Sequence, residues 1–147
     1  MVQSSPDGVS ELSKAWKHRG DDAKALFDTV RWRGAMYIAG YSAECLLKTK
    51  LMRMFGCRHL RELEDVLRER GVLSGRATVY THDLELLLDL TKRIDVMRRN
   101  TETWKQFNLV NRWMPAWRYS ADQSCREDAE EFLEAVQGVV NWIEHNV

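Results

Sequence analysis

The chain has 147 residues, of which 44% are hydrophobic and 30% charged, and this composition is typical of one globular domain rather than of a disordered chain. Residues 1–14 contain no apolar run, and longer apolar windows elsewhere are interrupted by charge, so the sequence predicts neither a signal peptide nor a membrane anchor. The three cysteines are odd in number and lack a metal-binding spacing. We therefore expect a soluble cytoplasmic protein with reduced thiols, no membrane association, no metal and no cofactor.

The formal net charge is zero, but the charges are unevenly distributed along the chain. Residues 31–118 carry 17 Lys and Arg against 10 Asp and Glu, whereas residues 119–147 carry 1 against 7. The basic middle and the acidic tail are expected to pair with each other. The alternative is that the basic middle faces a nucleic acid or a nucleotide.

Apolar spacings of three and four residues predict a chain of helices in order. Residues 1–8 are predicted to be a disordered lead, followed by a single helical domain over 9–147. The predicted helices are 9–30 with a possible break near Gly20, 32–55 ending at Gly56, 59–70 ending at Gly71, 82–99 capped by Thr81, 101–113 ended by Pro115, and a last helix capped by Ser120 or Asp122.

No segment shows sustained two-residue alternation, so no β-sheet is expected. The fold class that follows is all-α, an up-and-down helical bundle of about five to six helices. Its centre is predicted to be the helix within 31–55, which is apolar around most of its circumference. The small residues of this helix, including Gly34 and Gly40, are expected to allow close packing that offsets their low helix propensity.

One row of polar residues interrupts the apolar surface of that helix. Tyr37, Tyr41, Glu44 and Lys48 stand at i, i+4, i+7 and i+11, so they share one face. Glu44 and Lys48 have the spacing of a helical salt bridge, and two interpretations stay open. The pair either satisfies only itself or belongs to a functional cleft completed by His82 with Asp83 and by Arg118 with Tyr119.

Known motifs for nucleotide and metal chemistry do not occur in the sequence. There is no GxGxxG, no GxxxxGK[ST], and no pair of His or Cys residues at a zinc-site spacing. No nucleophile motif points to a Ser, His and Asp triad.

Several segments together carry a family resemblance. They are Trp16; Asp22, Ala23, Ala25 and Leu26; RWRGAMYIAGYSAECLLKTKL at 31–51; THDLELLLDL at 81–90; and WRYS at 117–120. In this order they resemble the HEPN superfamily, the nucleotide-binding helical domain of higher eukaryotes and prokaryotes, over about residues 10–145. The stretch 34–48 is the most distinctive part of the resemblance.

The resemblance implies a helical bundle that commonly dimerises, with a polar cleft between protomers. It also implies metal-independent ribonuclease activity in many members, often in toxins paired with a nucleotidyltransferase partner. That activity is tied to an Arg followed four to six residues later by His in a late helix. Here Arg76 and His82 have five intervening residues, as do Arg53 and His59, but neither pair lies in the late helix.

The polar row and the resemblance together give two sets of expected site residues. The candidates for catalysis are Arg76, His82 and Arg118. The expected nucleotide- or RNA-binding cleft consists of Tyr37, Tyr41, Glu44, Lys48, Asp83, Arg118 and Tyr119.

Three functions remain open at the level of sequence. The leading hypothesis is an RNA- or nucleotide-binding, homodimeric HEPN-like protein that acts with a nucleotidyltransferase partner in a toxin–antitoxin or defence system. The first alternative is a metal-independent endoribonuclease. The second is a protein–protein interaction module without nucleic acid.

Overall fold

The computed structural model describes residues 6–147, which form seven α-helices and one short 3₁₀ helix. The predicted all-α bundle is thus confirmed, and no β-strand occurs within these residues. No helix in 6–147 combines the length and the apolar character that crossing a bilayer requires. The helices are α1 Val9–Asp28, α2 Trp32–Met54, α3 Leu60–Glu69, α4 Leu84–Leu90, α5 Ile94–Arg99, α6 Thr101–Val110 and α7 Arg126–Asn146, with the 3₁₀ helix Pro115–Tyr119 between α6 and α7.

The predicted lead over residues 1–8 lies mostly outside the described residues, which begin at position 6. Gly8 is buried and forms an isolated antiparallel bridge with His59. The next backbone N–H, that of Val9, donates to the carbonyl of Arg58 at 2.8 Å. The start of α1 is therefore attached to the start of α3.

The first helix is continuous, so the break considered near Gly20 does not occur. An internal glycine costs about 1 kcal/mol of helix propensity. That cost is offset because α1 packs along α2, to which it is joined by only three residues. Thr29 ends α1, its backbone N–H and its hydroxyl both donating to the carbonyl of Ala25.

Helix α2 is the centre of the bundle, as its sequence predicts. Of its 23 residues 14 are buried, so nearly the whole circumference is covered. It packs against α1, α3, α4, α7 and the 3₁₀ helix. Gly56 follows the end of α2 with φ of 67°, a conformation that glycine adopts without strain.

The predicted helix 82–99 is wrong as a single helix, because it is divided into α4 and α5. Lys92 has φ of 62°, and the Thr91 hydroxyl bonds back to the carbonyl of Leu88 and accepts from the N–H of Arg93. These local hydrogen bonds interrupt the helix, although the segment contains no glycine or proline. The predicted cap Thr81 is also wrong: Asp83 caps α4, accepting from the N–H groups of the two residues at 85 and 86.

The last helix begins later than predicted. Its N-cap is Cys125, which makes no side-chain capping bond, so neither Ser120 nor Asp122 is the cap. Those two side chains instead build a loop: the Ser120 hydroxyl accepts from the N–H of Asp122, and the Asp122 carboxylate accepts from the N–H of Ser124. Helix α6 ends at Val110 rather than at residue 113, and the aromatic segment after it forms the 3₁₀ helix.

The connection between α6 and the 3₁₀ helix presses a tryptophan onto α2. A Cβ added at Gly40 would stand 2.1 Å from Cδ1 of Trp113, so only glycine allows this approach. The indole Nε1–H donates to the carbonyl of Tyr37 at 2.9 Å. Gly34, by contrast, has only an ordinary contact, with Leu26 at 3.8 Å.

The two glycines therefore make a matched pair for a stability test. We expect Gly40→Ala to lower the free energy of unfolding by about 1–3 kcal/mol, because the methyl group collides with the Trp113 ring. We expect Gly34→Ala to leave stability unchanged or to raise it by up to about 1 kcal/mol, since alanine is the better helix former. Urea unfolding of both variants measures this, and equal stabilities would refute the close-packing explanation.

Candidate functional site

The polar row on α2 converges on one buried carboxylate. The Glu44 side chain is only 4% exposed, and each of its oxygens has a partner. Oε2 accepts from the Lys48 ammonium at 3.1 Å, and Oε1 lies 2.6 Å from Nδ1 of His82. Lys48 is itself buried, so the predicted Glu44 and Lys48 pair exists but does not stand alone. His82, which is 38 residues away in sequence, completes it.

The turn before α4 places His82 on Glu44. The Thr81 hydroxyl accepts from the N–H of Asp83, and the Asp83 carboxylate caps α4, so the backbone on both sides of the histidine is bonded. A carboxylate only accepts hydrogen bonds, so the Glu44 carboxylate requires a proton on Nδ1 of His82. The opposite nitrogen, Nε2, is then left for a ligand on a side chain that is 54% exposed.

Two aromatic rings form the wall beside this histidine. Tyr37 and Trp113 stack with ring centroids 6.0 Å apart. The His82 and Trp113 rings are nearly perpendicular, with their centroids 6.1 Å apart. Trp113 is almost entirely buried, while Tyr37 remains partly accessible. The wall thus positions the imidazole from one side while Glu44 holds it from another.

The 3₁₀ helix adds Arg118 and Tyr119 at the far end of the wall. The Arg118 guanidinium lies over the Tyr119 ring at 4.8 Å, and Tyr119 is 77% exposed. Hydrogen bonding with Tyr37 is the main cause that raises the pKa of Arg118 above its ordinary value. Arg118 therefore approaches the same tyrosine that stacks on Trp113.

Tyr41 and Cys45 lie on the inner side of Glu44 and do not supply reactive groups. Burial raises the pKa of Tyr41 to about 12, and Cys45 and Glu44 add to the effect. Burial likewise raises the pKa of the Cys45 thiol to about 11, with Glu44 as the next cause. Both groups remain protonated near neutral pH, so neither serves as a base.

Not every candidate joins this cluster. Arg76 is exposed in the loop between α3 and α4, and no described hydrogen bond or ion pair joins it to His82. The carboxylate of Asp83 is engaged as a helix cap. The other Arg and His pair with the same spacing is also engaged elsewhere. Arg53 donates to the hydroxyl of Ser13, and His59 caps α3.

The charged segments pair less than the sequence suggests. One ion pair joins the basic middle to the acidic tail, between Arg33 and Asp122 at 3.5 Å. Within the described residues, no carboxylate of α7 forms an ion pair with a lysine or arginine. The acidic helix therefore compensates the basic middle without direct ion pairs among the described residues, and its Glu131 and Glu134 line the same cavity as Lys105 and Arg112.

Sequence reasoning assigned no site role to Trp113 or Gly40, although both shape the cluster. In the sequence Trp113 is one apolar residue among several. Its contact with Gly40 joins two positions that are 73 residues apart in the chain. The Arg33 guanidinium lies over the Trp117 ring at 4.8 Å, whereas the Arg118 guanidinium lies over Tyr119.

We call the set Tyr37, Glu44, Lys48, His82, Trp113 and Arg118 the polar cluster. A carboxylate that holds a histidine by one ring nitrogen fixes its orientation and tautomer, as general acid–base chemistry requires. Arg118 supplies an exposed cation and Tyr37 and Tyr119 supply ring faces. Within residues 6–147, no three His, Cys, Asp or Glu side chains come together in a way that could hold a metal ion.

The fold and the cluster define the class: an all-α bundle whose central helix carries a buried carboxylate between a lysine and a surface histidine. No protein-family model, no curated protein and no solved structure matches the chain. The HEPN resemblance therefore rests on the residues that carry it.

Because Glu44 and Lys48 are both buried, we expect a strong energetic coupling between them. Removing one partner of a buried pair costs about 3–5 kcal/mol, because the other charge is left without compensation. In a double-mutant cycle with Glu44→Gln and Lys48→Met, we expect a coupling energy of about 2–3 kcal/mol.

Arg58 and Glu62 provide an exposed comparison, since they are four residues apart with the arginine side chain 87% exposed and Arg58 lying just before α3. Their cycle, Arg58→Met with Glu62→Gln, is expected to give about 0.3–0.5 kcal/mol. Equal couplings in the two cycles, measured by urea unfolding, would mean that burial adds nothing to the Glu44 pair.

Proposed function

We propose that this protein is an RNA- or nucleotide-binding HEPN-like helical protein whose ligand lies on the polar cluster. The observation that carries the proposal is the Glu44 carboxylate, which holds His82 at 2.6 Å and leaves its Nε2 for a ligand. A histidine oriented in this way offers its Nε2 lone pair to a donor of the ligand when neutral and an N–H when protonated, and it loses little freedom on binding.

The groups around His82 support a nucleic-acid ligand rather than an apolar one. Arg118 is an exposed cation, and guanidinium groups are suited to phosphate. The exposed ring of Tyr119 and the accessible part of Tyr37 suit the flat faces of bases, which stack on aromatic side chains. Arg118 forms no ion pair within residues 6–147, so its charge is available to a phosphate.

A second function, metal-independent endoribonuclease, is favoured by the same carboxylate and histidine contact. Such an enzyme needs a base for the ribose 2′-OH, an acid for the leaving oxygen and a cation for the charged phosphorus centre. His82 suits the acid–base role, and Arg118 is the exposed cation of the polar cluster. Arg118 contacts α2 at Tyr37, however, two turns of helix from Glu44, and Arg76 is not bonded to His82. Binding is therefore the first proposal and cleavage the second.

The partners proposed with this function are a second copy of the chain and a nucleotidyltransferase, in a cytoplasmic toxin–antitoxin or defence system. Both partners rest on the family resemblance.

The binding proposal is tested with a labelled single-stranded RNA at low salt, followed by fluorescence anisotropy. We expect His82→Ala to weaken binding about tenfold, because a hydrogen bond to the ligand and the wall contact with Trp113 are lost. His145→Ala is the matched control, since His145 is an exposed histidine whose Nδ1 lies 2.7 Å from the backbone carbonyl of Asn141 and not near a carboxylate. Its affinity is expected to equal that of the wild type.

Each alternative has its own result in this experiment. If the wild type cleaves the RNA in the presence of a chelator and His82→Ala does not, the protein is an endoribonuclease. If no RNA or nucleotide binds even at low salt, where phosphate contacts are strongest, the nucleic-acid proposal fails and the protein–protein interaction module remains.

A further inference from the structure

A second cavity opens beside the polar cluster, at the amino end of α2. We call it the arginine pocket, because Arg31, Arg33 and Arg118 line it together with Trp117 and Tyr37. Its volume is about 390 Å³, within the range that holds a small ligand. Tyr37 belongs to both the pocket and the polar cluster, so the two are continuous.

The pocket concentrates positive charge that the described residues do not balance. Arg33 pairs with Asp122 at 3.5 Å, and its Nε–H donates to the carbonyl of the same residue. Neither Arg31 nor Arg118 forms an ion pair within residues 6–147. Among the lining residues and their ion-pair partners, three guanidinium groups stand against one carboxylate, a formal charge of about +2, while Asp128 and Glu131 lie across Arg33 in the adjoining cavity.

Arg33 is held in place by the fold, whereas Arg31 and Arg118 are exposed beside it. Arg33 lies over the Trp117 ring at 4.8 Å, and its side chain is only 18% exposed. The backbone N–H of Arg33 donates to the carbonyl of Gln123, which fixes the start of α2 against the loop before α7. Arg118 approaches Tyr37 from the 3₁₀ helix. A planar donor that is already positioned loses little entropy when it binds an anion.

The backbone adds to the positive field of the pocket. Arg31 is the N-cap of α2, no side chain caps this end, and the first turn contains no acidic residue. The amino end of a helix carries a partial positive charge and favours anions. The Ser120 hydroxyl, which also lines the pocket, accepts from the N–H of Asp122 and keeps its own proton to donate.

We propose that the arginine pocket binds a phosphate monoester, the terminal phosphate of a nucleotide or of an RNA end. A monoester carries about −1.5 to −2 charges near neutral pH, which matches the pocket, whereas an internal phosphodiester carries one. This inference rests on the proposed function and specifies which part of the ligand the protein recognises.

The position of the pocket determines how a bound ligand is oriented along α2. Tyr37 and Glu44 are seven residues apart on α2, or about 10 Å along its axis. A terminal phosphate on Arg31 and Arg118 therefore places the attached nucleoside over Tyr37, with its other end towards His82. The protein would then act on nucleotides or on RNA ends rather than at random along a strand.

The test compares ligands that differ only in the monoester. Isothermal titration with adenosine, adenosine 5′-monophosphate, adenosine 3′-monophosphate and inorganic phosphate identifies the group recognised and, for a nucleotide, the preferred end. The same RNA oligomer is compared with and without terminal phosphates. We expect at least about tenfold tighter binding of the phosphorylated ligands, because charge-assisted hydrogen bonds are made only with them.

Two variants assign the effect to the pocket. Arg31→Gln and Arg118→Gln are substitutions of exposed residues, and we expect each to reduce the preference for the phosphorylated ligand about tenfold. Arg98→Gln is the control, since Arg98 also lies over a tryptophan, Trp104 at 5.1 Å, but pairs with Asp95 away from the pocket. It is expected to keep the full preference, and circular dichroism checks that all three variants fold.

The outcomes separate the two proposals. Equal affinity for phosphorylated and unphosphorylated ligands, with RNA binding still dependent on His82, overturns the phosphate pocket alone. Binding of inorganic phosphate that both pocket variants abolish, without binding of any nucleotide or RNA, shows an anion site only and overturns both the monoester inference and the proposed function. No binding of any of these ligands overturns both.

Discussion

The buried carboxylate of Glu44 is the constraint on which the surrounding structure depends. An isolated ionised carboxylate is too costly to bury in a packed helical interior, so its partners must be present whenever the chain is folded. Lys48 supplies a charge from the same helix, and His82 supplies a donor from a turn that is distant in sequence. The pair on α2 thereby becomes a fixed attachment for the segment before α4. A polar row that would otherwise only weaken a central helix instead positions a histidine at the surface.

The neighbouring contacts extend this arrangement from the core to the solvent. Trp113 lies against α2 because Gly40 has no side chain, and from there it touches both Tyr37 and His82. Tyr37 then connects this wall to Arg118 and to the arginine pocket. The buried part of the cluster supplies rigidity, and the exposed part supplies a histidine nitrogen, ring faces and unpaired cations. This division supports a binding surface, because groups that are already positioned lose less freedom when a ligand arrives.

The sequence predicts the central helix and the shared face of Tyr37, Glu44 and Lys48 because both follow from spacing within one helix. It does not predict the division between α4 and α5, since Lys92 adopts a left-handed conformation without glycine or proline nearby. The cap of α7 was misassigned because Asp122 is used in a loop instead. Trp113 on Gly40 and the gathering of three arginines depend on tertiary contacts between distant segments, which no local pattern contains. The candidate site was thus predictable on α2 and much less so elsewhere.

The central claim is that Glu44 holds His82 through Nδ1 and leaves Nε2 for a ligand. Long-range proton–nitrogen correlation spectra of the imidazole rings report directly which ring nitrogen carries the proton in the neutral histidine. We predict that neutral His82 carries its proton on Nδ1, and that Glu44→Gln removes this strict preference, because an amide both donates and accepts hydrogen bonds. A proton on Nε2 of His82 in the wild type, or a tautomer that Glu44→Gln leaves unchanged, would contradict the account.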